Sequence, residues 1–155
     1  MSLGNYFPAN YARMQIERQL QPGVVVKFEA LMDDGKVHEK RFVVLDVSQD
    51  TFTCVINSEV SLFISSKPHM VACQVVLDLA SHPFMSRDSQ IDCSRIRTYS
   101  REDIIDQLCA NPDWVLGDIS KNVLAQMATA ISTSKLISKS QAVQCCAAIQ
   151  KVVQE

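Results

Sequence analysis

The chain has 155 residues, 47% of them apolar, and a formal net charge of −2. That length supports one domain with a substantial core and leaves little room for two. The near-balanced charge excludes the broad cationic surface that holds a protein on duplex DNA or an anionic membrane, so any nucleic-acid contact must be local. No apolar run approaches the ~20 residues of a membrane-spanning helix, which predicts a soluble protein without membrane attachment, and cysteines without disulfide-type spacing suggest a reducing cytoplasm.

The opening MSLGNYF lacks the basic and apolar regions of a secretory signal, and MSL reads more as an added tag than as a targeting signal. Residues 1–20 are expected to form an N-terminal segment with a short amphipathic helix over PANYARMQIERQL (8–20). Pro8 suits its first turn, and Tyr11, Met14 and Leu20 lie near helical spacing. Gln21, Pro22 and Gly23 end it, and residues 21–155 are expected to make one domain. VVVKFEALM and KRFVVLDV then flank DDGK, where Asp34 and Gly35 can take the positive φ of a tight hairpin.

TFTCVIN (51–57) continues the β pattern, and SLFIS follows it. Odd positions from Val71 to Leu79 are apolar and predict a half-buried strand within 70–80, and the short runs QIDCS and IRTY complete six or seven strands. That spacing predicts a small antiparallel barrel, with Val25, Phe28, Val44, Leu45, Val55, Val75, Leu77 and Ile91 in its core. The character then turns helical. Ser100 caps REDIIDQL, with Asp103 at the box position, and Asn111-Pro112 ends that helix. Gly117 and Asp118 punctuate before a second helix through Ile119–Ile131, and a third starts at Ser138 with Gln141 as box partner. The class is α+β, one barrel with packed helices and a helical C-terminal extension.

Six cysteines show no C-x-x-C pair and no zinc-type spacing with histidine, so reduced, buried thiols are expected and neither a metal nor a cofactor is. No phosphate-binding glycine loop, dinucleotide fingerprint or nucleophile elbow occurs. Arg41, directly before an apolar strand, cannot shed its charge. It must reach water, pair with a carboxylate or receive an anionic ligand. His82, in SHPF after a strand, is the histidine best placed to act as a base, and His38 beside Glu39, Lys40 and Arg41 could join a nucleic-acid patch. Asp88 and Ser89 read as a turn, and Trp114 as an anchor between helix and barrel.

The order Pro22-Gly23-Val24-Val25-Val26, polar hairpin, Lys40-Arg41-Phe42-Val43-Val44-Leu45 resembles the MazF/PemK (Kid) toxin family. DSQIDCSRIRTYSREDI (88–104) and GDISKNVLAQMATAI (117–131) are similar to that family's late strands and closing helix. The resemblance implies an SH3-like barrel, usually a homodimer. It also implies a metal-independent endoribonuclease on single-stranded RNA, neutralised by an antitoxin protein. The family's arginine matches Arg41, which would stabilise charge on the scissile phosphate as the ribose 2′-hydroxyl attacks, leaving a cyclic phosphate. Its second catalytic position matches Ser58 in VINSE, with Asn57 as a further donor to the same phosphate. Phe42 stands where the family has proline, and the motif's proline and threonine around VINS are missing. A catalytically silent barrel that binds a protein or nucleic acid is therefore the alternative.

Arg95 and Arg97, on one face of a strand, could follow a single-stranded backbone or an acidic antitoxin tail, or pair with Glu102 and Asp103. Ile131, Leu136, Ile137, Val152 and Val153 exceed one apolar stripe, which predicts an exposed patch and a symmetric homodimer.

Overall fold

Asp34 and Gly35 sit at the tip of a hairpin, as their composition dictates, but only Gly35 takes positive φ, at +79°. Its N–H donates to the Met32 carbonyl at 3.0 Å, and the Asp34 carboxylate instead accepts the Lys36 N–H at 2.9 Å. The flanking strands are β1 (Val24–Leu31) and β2 (Val37–Val47), in antiparallel register from Val25 opposite Val43 to Leu31 opposite Val37. The structure, a computed structural model, describes residues 3–48 and 50–155; Met1 and Ser2, on which part of the MSL reading rests, lie outside them.

β3 (Asp50–Asn57) pairs with β2 on one side and serves two partners on the other. Its first residues pair with β6 (Arg97–Ser100), and Ile56 and Asn57 pair with β5 (Ser89–Asp92). β4 (Gln74–Leu77) continues beyond β5, and β7 (Val115–Asp118) lies outside β1. All pairings are antiparallel, in the order β4-β5-β3-β2-β1-β7 with β6 also on β3. Register shifts at Val44/Asp46 and Val25/Val26 sharpen the twist that bends such a sheet toward a barrel. The fold is α+β, the expected small SH3-like antiparallel barrel with packed helices.

Both faces of this sheet are covered, which explains why VVV and RFVVL run apolar without alternation. The eight expected core residues are all buried, but they belong to two cores rather than one. Val25, Leu45, Val75, Leu77 and Ile91 pack with helices α5 (Lys121–Thr133) and α6 (Lys139–Val153). Phe28, Val44 and Val55 pack on the opposite face with helices α1 (Leu3–Gln19) and α4 (Arg101–Ala110), through Ile16, Leu20, Ile104, Ile105 and Leu108. The first helix begins earlier than expected, so Pro8 falls inside it.

Other differences have local causes. SLFIS is a single helical turn, α2 (Leu62–Ser65), because the Ser61 hydroxyl accepts the Ile64 N–H and caps it. The expected strand in 70–80 is shortened to β4, since Pro68 starts another turn, α3 (Pro68–Val71). Ser100, Ser120 and Ser138 each accept a backbone N–H three residues on and start α4, α5 and α6. All six cysteines are free thiols, and burial pushes Cys145 up to about 12. No helix among the described residues is long and apolar enough to cross a membrane.

The apolar residues that suggested an exposed dimer patch are largely covered by this chain. Ile131 is buried, Ile137, Val152 and Val153 pack on the α5–α6 core, and only Leu136 stays exposed. α6 closes back over the barrel.

Gly117 in β7 marks a close approach. A Cβ built there would lie 2.5 Å from Phe84 Cδ1. Gly117→Ala is expected to force the Phe84 ring out of place and to destabilise the protein by about 1–3 kcal/mol in chemical denaturation. Phe84→Ala in the same chain should recover part of that loss.

Candidate functional site

Successive residues of β2 point to opposite faces, so Arg41 lines one cleft while Lys40, between the two, borders both. Arg41 stands across from Ile56 of β3 and from Lys27 of β1. It lines a cleft of about 260 Å³ with Glu39, Lys40, Ile56, Ser58, Met85, Ser86, Arg87 and Ser89. Arg41 and Ser58 are thus brought together, as the family resemblance implies. The cleft's lining carries three cations and one carboxylate. That carboxylate, Glu39, is already bonded to Lys27 at 3.1 Å.

Arg41 itself has no carboxylate or hydrogen-bond partner among the described residues, and its Nε is buried without one. Arg41 lies inside β2, paired on both sides, rather than directly before the strand as its sequence position suggests, and pairing with a neighbouring acid is the fate its guanidinium does not take among the described residues. A donor removed from water and left without an acceptor costs about 1–3 kcal/mol. An anionic ligand in the cleft would remove that cost.

Asn57, His38, Arg95 and Arg97 gather in a second cleft of about 450 Å³, which Lys40 also borders. Lys40 Nζ lies 3.4 Å from Asn57 Oδ1, and His38 Nε2 lies 2.6 Å from Asp34 Oδ2. The two arginines do not pair with Glu102 or Asp103. Asp33, at the hairpin tip, accepts from Arg97 at 3.0 and 3.2 Å and from Arg95 at 3.4 Å. Glu102 instead contacts Arg13 and Arg101.

Arg97 hydrogen bonding, with the charges of Arg97 and Arg95, holds Asp33 below the usual carboxylate range. A lowered carboxylate pKa means that the contact stabilises the fold above the unfolded carboxylate pKa and is lost as pH falls through the folded value. In an NMR titration, Arg97→Gln is expected to move the Asp33 midpoint up. An unchanged midpoint would remove the proposed coupling.

His82 is set apart from both clefts. It is 1% exposed, its Nε2 accepts the Ser120 N–H at 3.0 Å, and its Nδ1 lies 3.0 Å from the Asp78 carbonyl oxygen. The backbone donor at Nε2 places the ring proton on Nδ1, so neither nitrogen is left to take a substrate proton. It ties the 78–89 loop to the start of α5. His82 does lie in the loop after a strand, but it is not accessible as a base, because Phe84, packed on Gly117, and buried Met85 carry this loop into the protein. Arg87 was missed for the same reason, although apolar Phe84 and Met85 inside a polar loop are a sequence sign of anchoring.

Among the described residues, no three His, Cys, Asp or Glu side chains converge as a metal site. No family model matches the chain, and no curated protein matches it. Among solved structures, it is similar to a chain in the crystal structure of MazE-MazF (form II) from Deinococcus radiodurans. The TM-score is 0.50 at 14% identity, covering 73% of this chain and 92% of that one. At this identity the likeness is one of fold: the chain has a MazF-like α+β fold, with a cationic cleft beside paired strands β2 and β3.

Proposed function

We propose that the protein is a divergent MazF/PemK-like toxin, a metal-independent endoribonuclease that binds single-stranded RNA in the Arg41 cleft. The observation that carries this is the unpartnered Arg41 guanidinium in a cleft whose lone lining carboxylate is occupied by Lys27. In this role Arg41 donates to the nonbridging oxygens of one phosphodiester, and the Ser58 hydroxyl donates to the same group. The adjacent 2′-hydroxyl attacks phosphorus, the 5′-oxygen leaves, and the guanidinium stabilises the charge that grows between those events. Asn57, His38, Arg95 and Arg97 would contact flanking nucleotides from the second cleft, with Asp33 displaced from the two arginines.

The alternative is a barrel that binds RNA or protein at this cleft without cutting. It is favoured by one feature: no imidazole lines the Arg41 cleft, since His82 is fully engaged and His38 lies on the other face. Incubating the purified protein with labelled single-stranded RNA in EDTA separates the two. Cleavage by wild type that Arg41→Ala abolishes supports the nuclease, and a folded wild type that leaves RNA intact supports the silent barrel.

A cytoplasmic location, a homodimer and an antitoxin partner belong to the same reading, supported by the MazF-like fold and the likeness to a MazE-MazF chain. Apolar Leu62, Phe63 and Val76 are exposed and remain available to such contacts.

A further inference from the structure

We propose that Arg87 is a second phosphate-binding cation of this cleft, so that the site grips two phosphates of one RNA strand rather than one. The inference rests on the reading of the Arg41 cleft as a phosphodiester site. Arg13, Arg95, Arg97 and Arg101 each have a carboxylate partner. Arg18, Arg41 and Arg87 have none among the described residues, and the last two line the same cleft. Bringing unpaired guanidinium groups together is unfavourable unless an anion is to join them, and a ribose-phosphate strand supplies one charge per residue.

The carboxylate next to Arg87 in sequence is turned to another task. Asp88 Oδ1 accepts the Leu79 N–H at 2.7 Å and closes the base of the loop. Other contacts hold the loop in place. His82 fixes it to Ser120, Met85 is buried in the α5–α6 core, and the Ser89 hydroxyl donates to the Arg87 carbonyl at 3.2 Å. The backbone of Arg87 is therefore set before ligand arrives, while its side chain is exposed and free to reach a phosphate beside the one on Arg41.

The test is the salt dependence of binding to a fluorescently labelled 2′-O-methyl RNA, which cannot be cut by 2′-hydroxyl attack. Each phosphate contact on a single strand contributes about 0.7 to the slope of log K against log salt. Arg87→Ala is expected to lower the slope by about 0.7, and Arg41→Ala by a similar amount. Arg18→Ala, which removes an unpaired arginine outside the cleft, should leave it unchanged. Wild-type binding with the same slope in Arg87→Ala overturns this inference while leaving the Arg41 site standing. No binding by wild type overturns the phosphodiester reading itself.

Discussion

Replacing Phe42 by alanine is expected to destabilise the protein by about 3–5 kcal/mol, the range for removing a fully buried aromatic side chain. Phe42 is 0% exposed. Its ring stacks on Phe28 with centroids 4.2 Å apart, and Tyr99 meets both rings edge-on, at 5.4 and 5.3 Å. The three rings join β1, β2 and β6 on the face that α4 covers, so alanine would leave a cavity with rigid walls. The position also explains the departure from the family pattern, in which proline follows the arginine. Here the residue after Arg41 points into the second core and its backbone pairs with both Val26 and Val55. Urea denaturation followed by far-UV circular dichroism measures the loss. Phe42→Leu should lose clearly less than Phe42→Ala, and equal losses would contradict the aromatic-cluster account.

In the proposed nuclease, Arg41→Ala is expected to lower the rate of RNA cleavage by about 10²–10³-fold, the usual effect of deleting one preorganised donor to transition-state charge. Its fold should be almost unaffected, because among the described residues the guanidinium makes no ion pair that the substitution would break. Arg41→Lys keeps the charge but loses the planar fork, and should recover only part of the rate. Ser58→Ala should cost less than Arg41→Ala, since a neutral hydroxyl stabilises developing charge less than a guanidinium does. Single-turnover rates with saturating enzyme give these numbers free of product release. A rate in Arg41→Ala within a few-fold of wild type would assign the chemistry elsewhere.

The parts of this molecule that were legible in its sequence are those fixed by neighbours in the chain. Asp34-Gly35 announced the hairpin because positive φ is a property of one residue. Ser100 and Ser138 announced α4 and α6 because a cap and its N–H donor lie three residues apart. Arg41 stood out because a permanent charge directly precedes four apolar residues. What was not legible depends on distant packing. β7 is two apolar residues, a glycine and an aspartate that become a strand only by lying against β1. Met70 to Ala80 alternates like one long strand, yet only Gln74–Leu77 meets a partner. His82 looks like an accessible base until the start of α5 is folded against it. Asp33, not Glu102, reached Arg97 because the hairpin tip lies beside β6, a proximity between partners 64 positions apart in the chain.

The most direct test of the central claim is mass spectrometry of the new RNA ends after wild-type protein and single-stranded RNA are incubated in EDTA. Phosphodiester cleavage by the 2′-hydroxyl at Arg41 predicts fragments ending in a 2′,3′-cyclic phosphate, paired with fragments starting at a 5′-hydroxyl, and neither with Arg41→Ala. Intact RNA, ends bearing a 3′-hydroxyl and a 5′-phosphate, or the same cyclic ends at the same rate from Arg41→Ala would contradict it.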